Sequence, residues 1–266
     1  MSLPLNLREL ATHADLLACE RVQCAVWGEP VPEASASLLR AAQHAGALVA
    51  GAFSGETLVG VVYAFPSFVA GRAGQHSHLL AVLPEARGRG VGRALKWFQR
   101  RWCLARGVTF VTWTFDPLRA KNARLNLEHL GASAREYLPD FYGPLGGPLN
   151  GDGPSDRLLA EWVLEDAHVT ALAEGTARAL AYKPTAVRLE NRGGEPLFYA
   201  DVVAERMWLE LPPTFAPETE PEHALRWRLA LRGAMAAPLA AGYRATRFVA
   251  GGYVLEKQPE VLKPGP

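Results

Sequence analysis

The sequence predicts an α/β (α+β) fold with a mixed central sheet flanked by helices, followed by a C-terminal α/β extension. Segments with helical periodicity alternate with short apolar runs rich in β-branched residues along the 266-residue chain. A glycine-rich turn joins one such apolar run to an amphipathic helix pattern. The composition, with 49% hydrophobic and 21% charged residues, is that of a globular protein. We expect one domain over residues 1–165 and an extension over residues 166–266.

Charge, cysteine content and hydropathy exclude several classes of protein. The net charge of +1 argues against a global electrostatic attraction to nucleic acid or to a membrane surface. Three cysteines are too few for a disulfide framework and too irregularly spaced for a zinc site. The first residues, MSLPLNLREL, contain no basic region followed by an apolar one, so we expect no signal peptide and a cytoplasmic location. The apolar stretch LVGVVYAFPSFVAG contains a proline and is too short to cross a bilayer.

The first half of the chain predicts a defined order of elements. A strand, two helices, a hairpin and another strand are predicted at LNLREL, ADLLACERVQCAVW, ASASLLRAAQHAG, ALVAGAF with TLVGVVYAF, and QHSHLLAVL. The next helix spans residues 91–105 and carries an apolar stripe, with Arg93, Lys96 and Arg100 on another face. It is followed by the strand VTFVTWTF, the helix KNARLNLEHLG, and the strands SAREYL and RLLAEWVL.

The second half predicts a loop and then further alternating elements. Residues 143–156 are too rich in glycine and proline for a regular element. The elements beyond are a helix at HVTALAEGTARALA, a hairpin at AVRLE and EPLFYADV, a strand at RMWLELP, a helix at EHALRWRLALRGAMAA, and a strand pair at ATRFVA and YVLEK. We expect Pro238 to stop the last of these helices.

The glycine turn lies in PEARGRGVGRALKWFQRR, residues 84–101. A strand that leads through Gly88, Gly90 and Gly92 into a helix directs several backbone N–H groups and the positive helix end at one point. This arrangement predicts a phosphate-binding turn, with added positive charge from three arginines. These are Arg87, Arg89 and Arg93.

Two common phosphate-binding motifs do not fit this turn. A nucleoside triphosphatase loop requires Gly-Lys-Ser/Thr, whereas Gly92 is followed by Arg-Ala. A dinucleotide fingerprint beginning at Gly88 would require glycine at position 93, which is arginine. Nucleic acid is a weaker alternative, because six arginines lie between residues 87 and 106, but the interleaved Phe98 and Trp102 lie on the packed stripe.

The pattern Arg87-x-x-Gly90-x-Gly92, with its preceding strand and following helix, resembles the acyl-CoA pyrophosphate loop of the GNAT-type N-acetyltransferases. The order of elements over residues 5–165 is similar to that family. The segments WTFDPLRAKNARLNLEHLGA, FYG and PSDRLLAEW resemble a subgroup with a long C-terminal extension. The resemblance implies acetyl-CoA or another acyl-CoA, such as succinyl-CoA, as cosubstrate, no metal, and a small amine as acceptor, which in that subgroup could be an amino acid.

The resemblance also implies roles for particular residues. The backbone of Leu80, Ala81 and Val82 would bind the pantetheine arm, and the Val82 N–H would polarise the thioester carbonyl. The pyrophosphate would be held by Arg87, Gly88, Arg89, Gly90, Val91, Gly92 and Arg93. Asn122, together with Asn126, would contact the pantetheine. A neutral amine would attack the thioester directly, without a covalent enzyme intermediate.

The acid and the base depart from the family pattern. Position 127 is leucine, where the family often has a tyrosine that protonates the leaving thiolate. Tyr137 is the candidate acid, with Tyr142 as the alternative and a structural role open for both. His76 and His78 lie two apart on a strand, and their roles as base, metal ligand or packing residue stay open; His78 is the candidate base.

Acceptor binding is assigned to Asp116 and Arg157. Asp116 could hold the acceptor ammonium or cap the turn before Pro117, and Arg157 could bind an acceptor carboxylate or pair with Asp156. The extension could complete the acceptor pocket, form a homodimer surface, or be a degenerate second copy of the fold. A catalytically silent acyl-CoA-binding protein is the alternative function.

Overall fold

The computed structural model describes residues 5–28, 30–69, 71–143, 145, 153–177 and 186–258. The chain divides into two compact units. The first comprises Met1–Trp113 and Trp162–Ala173, and the second comprises Thr114–Glu161 and Glu174–Pro266. Residues 114–161 thus cluster with the C-terminal part. The expected division at residue 165, into an acyl-CoA-binding domain and a C-terminal extension, stays a prediction.

Twelve strands and six helices make up most of the described regular structure. The strands are β1 Leu5–Glu9, β2 Leu48–Ser54, β3 Thr57–Val69, β4 Arg72–Val82, β5 Phe110–Phe115, β6 Ser133–Leu138, β7 Arg157–Val163, β8 Val187–Arg192, β9 Glu195–Phe198, β10 Arg206–Glu210, β11 Tyr243–Val249 and β12 Gly252–Lys257. The helices are α1 His13–Trp27, α2 Ala36–His44, α3 Val91–Leu104, α4 Ala120–Ala123, α5 Ala167–Glu174 and α6 Pro221–Ala240. Most of the predicted loop (144 and 146–152) and the end of the predicted helix at 168–181 (178–181) lie outside the described residues.

The first unit contains a mixed sheet. Its strands run in the order β1-β2-β3-β4-β5, with antiparallel neighbours up to β4 and a parallel β4–β5 pair. The core beneath α1 and α2 includes Leu16, Cys19, Val61 and Leu79. A Cβ on Gly60, the neighbour of Val61, would lie 2.9 Å from Val91 of α3. Because successive strand residues face opposite sides, helices cover both faces, which confirms the predicted fold class.

The buried face of α3 differs from the predicted stripe. Lys96, Gln99 and Cys103 are buried along with Leu95 and Trp102, whereas Ala105 is exposed. The expectation that Lys96 lies on a face other than the packed one was therefore wrong.

Lys96 is buried without an acidic partner within the described part of the chain. Its Nζ donates to Ser77 Oγ (3.1 Å) and to Gln99 Oε1 (2.7 Å), and lies 3.9 Å from the centre of the Trp113 ring. Trp162 lies farther, at 5.3 Å. Oxygen acceptors and an aromatic face thus replace water around the ammonium. Burial lowers the pKa of Lys96 to about 7.

The second unit contains seven strands in the order β7-β6-β11-β12-β10-β8-β9. Adjacent strands in this order pair antiparallel wherever a register is defined, except for β8 and β10, which are parallel. Its helix α6 continues through Pro238 to Ala240, so the expectation that Pro238 stops it was wrong. Pro238 has no N–H for the carbonyl of Ala234, but the Arg188 Nε donates to that oxygen at 2.9 Å. A buried guanidinium therefore satisfies the acceptor that the proline leaves free.

The predicted helix at residues 121–131 is shorter and irregular. After α4 the chain forms a π-helical turn over Arg124–His129, in which Leu130 N donates to Leu125 O at 3.0 Å. Leu127, which stands where a family tyrosine was expected, is 2% exposed. Its side chain is therefore part of the core of the second unit.

Candidate active site

The glycine turn has the geometry of an uncapped helix start. Gly88 and Gly90 adopt φ angles of 76° and 78°, and a Cβ at either position would have no neighbour within 4 Å. Gly90 is the N-cap of α3, and it provides no side-chain hydrogen bond. The first helical bond runs from Ala94 N to Gly90 O at 2.9 Å. The N–H groups of residues 91–93 therefore have no partner within the helix and can bind an anion.

Arginines surround this turn, and all three that were predicted to hold the pyrophosphate are exposed. Arg87 Nε donates to Val82 O at 3.1 Å, which links the turn to the end of β4. The side chains of Arg89 and Arg93 make no hydrogen bond or ion pair with any residue that the structure describes. The two guanidinium groups are therefore available to an anionic ligand.

The edge of β4 is open beside the turn. Described pairing between β4 and β5 consists of Gln75 opposite Val111 and His76 opposite Thr112. Beyond His76 the β5 side of β4 has no described strand partner. The two strands of the first unit thus pair at one end of β4 and leave its other end, which leads into the turn, free on that side.

The free edge of β4 presents backbone groups of Leu80 and Val82. Leu83 N donates to Val59 O at 3.0 Å, which makes these two residues a hydrogen-bonded pair. Because bonded and non-bonded pairs alternate in an antiparallel ladder, Val82 (opposite Gly60) and Leu80 direct their N–H and C=O groups away from β3. The Arg87 bond to Val82 O agrees with this direction. Ala81, between them, uses its backbone groups toward β3.

The sequence profile of the acetyltransferase (GNAT) family matches residues 14–131, which include β4, the glycine turn and α3. Residues 14–131 form a GNAT acetyltransferase domain. The predicted assignment to the GNAT-type acetyltransferases is confirmed for these residues. Comparison with curated protein sequences found no match.

Solved structures similar to the chain carry acetyltransferase names. The ribosomal-protein-S18-alanine N-acetyltransferase from Escherichia coli is 20% identical, with a TM-score of 0.49, over 62% of this chain and 96% of that one. An aminoglycoside 6'-acetyltransferase type Ii is 17% identical, with a TM-score of 0.49, over 62% and 99%. An aminoglycoside 6'-N-acetyltransferase complexed with coenzyme A is 16% identical, with a TM-score of 0.48, over 60% and 98%. The family assignment rests on the match over residues 14–131.

The two histidines of β4 have different surroundings in the GNAT domain. His76 Nδ1 lies 3.1 Å from Thr112 Oγ1, and burial lowers its pKa to about 4, helped by the nearby His78 and Lys96. His78 Nε2 lies 3.0 Å from a carboxylate oxygen of Glu33. His76 is therefore neutral and a weak base at neutral pH, which leaves His78 as the stronger candidate base. Glu33 was not singled out in the sequence, because no local pattern connects it to a strand 45 residues later.

The candidate acid Tyr137 lies in the second unit. Its hydroxyl donates to Asp156 Oδ2 at 2.6 Å, and burial and the Asp156 carboxylate raise its pKa well above the usual value. Asp156 is fully buried and also accepts two bonds from Arg232, at 2.9 and 2.6 Å. Tyr142 is 44% exposed, and its hydroxyl lies 3.0 Å from Thr114 Oγ1. The structure thus gives the Tyr137 hydroxyl a buried partner and leaves Tyr142 more accessible.

Asp116 and Arg157, the predicted acceptor-binding residues, are both in the second unit. Asp116 forms a bidentate pair with Arg228 (2.6 and 2.9 Å) and accepts from Leu118 N (2.9 Å), so it caps its turn. Arg157 donates to the backbone oxygen of Asp156 and lies 5.3 Å from the Tyr142 ring centre. The predicted Asp156–Arg157 ion pair was wrong, because the Asp156 carboxylate pairs with Arg232.

Arg157 differs from the two arginines near it. Arg228 and Arg232 are each paired with an aspartate, whereas Arg157 has no carboxylate partner among the described residues. Burial lowers its pKa, but an arginine remains charged at neutral pH. Its guanidinium therefore forms no ion pair with a described carboxylate, although Asp116 and Asp156 lie within electrostatic range, and it can bind a ligand carboxylate.

The two asparagines predicted to contact the pantetheine differ in burial. Asn122 is exposed on α4, and Asn126 is 5% exposed in the π-helical turn. Their contacts with a pantetheine stay predictions.

Within the described ranges, no group of three or more His, Cys, Asp or Glu side chains could hold a metal ion. Of the helices that the structure describes, none combines the length and apolar character needed to span a bilayer.

Proposed function

We propose that this protein transfers the acetyl group of acetyl-CoA, or the acyl group of a related CoA ester, to the amine of a small molecule. The observation that carries this proposal is the open β4 edge directly followed by an uncapped helix start. The N–H groups at residues 91–93 suit a pyrophosphate, and the outward N–H of Leu80 and of Val82 suit an extended pantetheine amide chain.

The donor site follows from these groups. Arg89 and Arg93 contribute free positive charge at the pyrophosphate, and Arg87 fixes the turn against Val82. The Val82 N–H donates a hydrogen bond to the thioester oxygen, where negative charge develops during the reaction. Gly90 keeps the approach clear because it has no side chain and adopts a left-handed conformation.

The proposed reaction is direct aminolysis of the thioester. The acceptor ammonium loses one proton to a base, for which His78 is proposed, and the neutral nitrogen attacks the carbonyl carbon. A C–N bond forms and the C–S bond breaks. The nitrogen gives up its second proton as the amide forms, and the sulfur leaves as a thiolate that takes up a proton. The acid for that last step remains a prediction at Tyr137, with Tyr142 as the alternative. Orientation of the two substrates supplies much of the acceleration.

The acceptor is proposed only as a class of small-molecule amines, whereas the donor is proposed as a CoA ester. The guanidinium of Arg157, which has no ion-pair partner among the described carboxylates, supports an acceptor with a carboxylate, such as an amino acid. To bind Asp116, an acceptor ammonium would have to displace Arg228. Use of succinyl-CoA, binding of the pantetheine by Asn122 and Asn126, a cytoplasmic location and a homodimer also stay predictions.

Release of free CoA thiol tests this function. The wild-type protein is incubated with acetyl-CoA or succinyl-CoA and a panel of amines with and without a carboxylate. We expect thiol release that depends on one class of amine, and Arg157→Ala should raise KM for carboxylate-bearing acceptors while leaving KM for acetyl-CoA unchanged. Lys121→Ala, at an exposed position of α4, is the matched control.

The alternative is a catalytically silent acyl-CoA-binding protein. The buried Leu127 favours it, since the family tyrosine is missing at that position. Binding of acetyl-CoA by calorimetry without thiol release for any amine would support this alternative. Absence of binding by any CoA ester would contradict both functions.

A further inference from the structure

The surroundings of His78 on β4 differ from those of an ordinary strand residue. The pairing of β3 with β4 shifts between Tyr63 opposite Leu79 and Ala64 opposite Ser77, so His78 is the extra residue of a β-bulge. A bulge redirects a side chain and often lies beside an active site. His78 is four residues before Val82, within the same unit as the proposed donor site.

The His78 ring is held on three sides. Tyr63 packs edge-on, with the two ring centres 5.8 Å apart and an angle of 87° between the ring planes, and Phe65 packs at 5.6 Å. The third contact is the Glu33 carboxylate, on the segment between α1 and α2, at 3.0 Å from Nε2. The imidazole is 28% exposed and the Glu33 side chain 54%. The ring is thus oriented but still reachable from solvent.

The contact with Glu33 decides which ring nitrogen can accept a proton. The hydrogen bond from His78 lowers the pKa of Glu33, so its carboxylate is ionised at neutral pH. An ionised carboxylate is an acceptor, so Nε2 must carry the hydrogen that it accepts. The neutral imidazole therefore has its lone pair at Nδ1, which faces away from Glu33.

We infer that Glu33 is a positioning residue for the reaction, which fixes the His78 ring and its tautomer so that Nδ1 removes the proton from the acceptor ammonium. This inference rests on the proposed function. One proton moves from the ammonium to Nδ1, and the resulting imidazolium is stabilised by the Glu33 carboxylate. His76 lacks this arrangement, because its Nδ1 is directed at Thr112 and it has no described carboxylate partner.

The titratable groups around His78 set the design of the test. They are Glu33, Tyr63 on β3 and His76 on β4. Glu33→Gln keeps a hydrogen-bond acceptor and removes the charge, whereas Glu33→Ala removes both. Glu56→Gln, in the exposed turn between β2 and β3, removes a carboxylate elsewhere in the same unit and is the matched control.

The first readout is an NMR titration of the histidine ring Cε1–H signals, which requires no substrate. In Glu33→Gln the midpoint of the His78 signal should move to lower pH, because the imidazolium loses the carboxylate at Nε2. Glu56→Gln should leave it unchanged. An unchanged His78 midpoint in Glu33→Gln would overturn the inference, whatever the activity of the protein.

The second readout is the pH profile of kcat/KM for the amine that the wild type acetylates. The acidic limb should move to lower pH in Glu33→Gln, because the base then loses its proton more readily. kcat should fall about tenfold in Glu33→Ala, less than the loss on the order of 100-fold in His78→Gln. If wild type turns over but the acidic limb of the profile does not move in Glu33→Gln, the role of Glu33 is refuted while the proposed acyl transfer stands. No turnover by wild type, with acetyl-CoA bound, would refute the function itself.

Discussion

At the scale of single residues, polar partners decide which predicted side chains are free to act. The predicted acid Tyr137 already donates a hydrogen bond to the buried carboxylate of Asp156, and Asp116 has both oxygens on Arg228. Arg89, Arg93 and Arg157, in contrast, have no carboxylate partner within the described chain. The three arginines can therefore bind anionic ligands, whereas Asp116 and Asp156 already form ion pairs within the folded protein.

Tyr137→Phe tests whether that hydroxyl is structural. Removing it takes one donor from Asp156, which keeps Arg232 and the Asp140 N–H, so we expect a loss of about 1–2 kcal/mol in the free energy of unfolding. If the hydroxyl is only structural, kcat should change less than threefold. Urea unfolding and thiol release measure the two quantities, with Tyr199→Phe, which removes a hydroxyl that donates to Glu190 in the same unit, as the matched control. A kcat reduced on the order of 100-fold with unchanged stability would instead make Tyr137 the general acid.

At the scale of elements, those encoded by a local sequence pattern could be predicted, whereas those that depend on a distant contact could not. The strand, glycine turn and helix around residue 88 could be predicted because their signals lie within a short stretch of sequence. The continuation of α6 past Pro238 could not, because it depends on Arg188 from a different strand. That guanidinium also donates to the carbonyls of Ala200 and Val202.

The carbonyl of Ala234, which accepts a hydrogen bond from Arg188 in place of residue 238, gives a double-mutant prediction. Arg188→Met should destabilise the protein by about 2–4 kcal/mol, because it removes the donor to the oxygen of the buried Ala234 and to those of Ala200 and Val202. Pro238→Ala restores an N–H for the Ala234 oxygen, so the double variant should recover about 1 kcal/mol of that loss in urea unfolding. Additive effects of the two substitutions would show that Arg188 does not compensate for the proline.

At the scale of the whole molecule, the sequence predicts the family but not the pairing of distant charges. Asp156 meets Arg232 across 76 residues, and Asp116 meets Arg228 across 112 residues. No short motif encodes either pair, so the sequence suggested the neighbouring Arg157 instead. Lys96 was misplaced for a related reason: helical periodicity treats a lysine as exposed, whereas Trp113, Ser77 and Gln99 together accommodate it.

Burial of Lys96 should make the stability of the protein depend on pH. Its pKa of about 7 is below that of an unfolded lysine, so the unfolded state binds more protons above pH 7 and stability rises with pH. Lys96→Met should lack this dependence. Between pH 7.5 and 9.5, the difference in unfolding free energy between wild type and variant should change by about 1.4 kcal/mol per pH unit.

Urea unfolding followed by tryptophan fluorescence provides that measurement, with Lys121→Met as the control at an exposed position. A difference between wild type and Lys96→Met that stays constant from pH 7.5 to 9.5 would mean that Lys96 keeps its proton in the folded protein.

The most direct test of the central claim is the melting temperature with and without acetyl-CoA for wild type, Gly90→Glu and Gly107→Glu. Both glycines are exposed near an end of α3, have positive φ angles, and would have no neighbour within 4 Å of an added Cβ, so the two variants bear similar backbone strain. At 100 times its dissociation constant, acetyl-CoA should stabilise wild type and Gly107→Glu by about 2.7 kcal/mol and leave Gly90→Glu unchanged. No stabilisation of wild type, or equal stabilisation of all three proteins, would contradict an acyl-CoA site at the glycine turn.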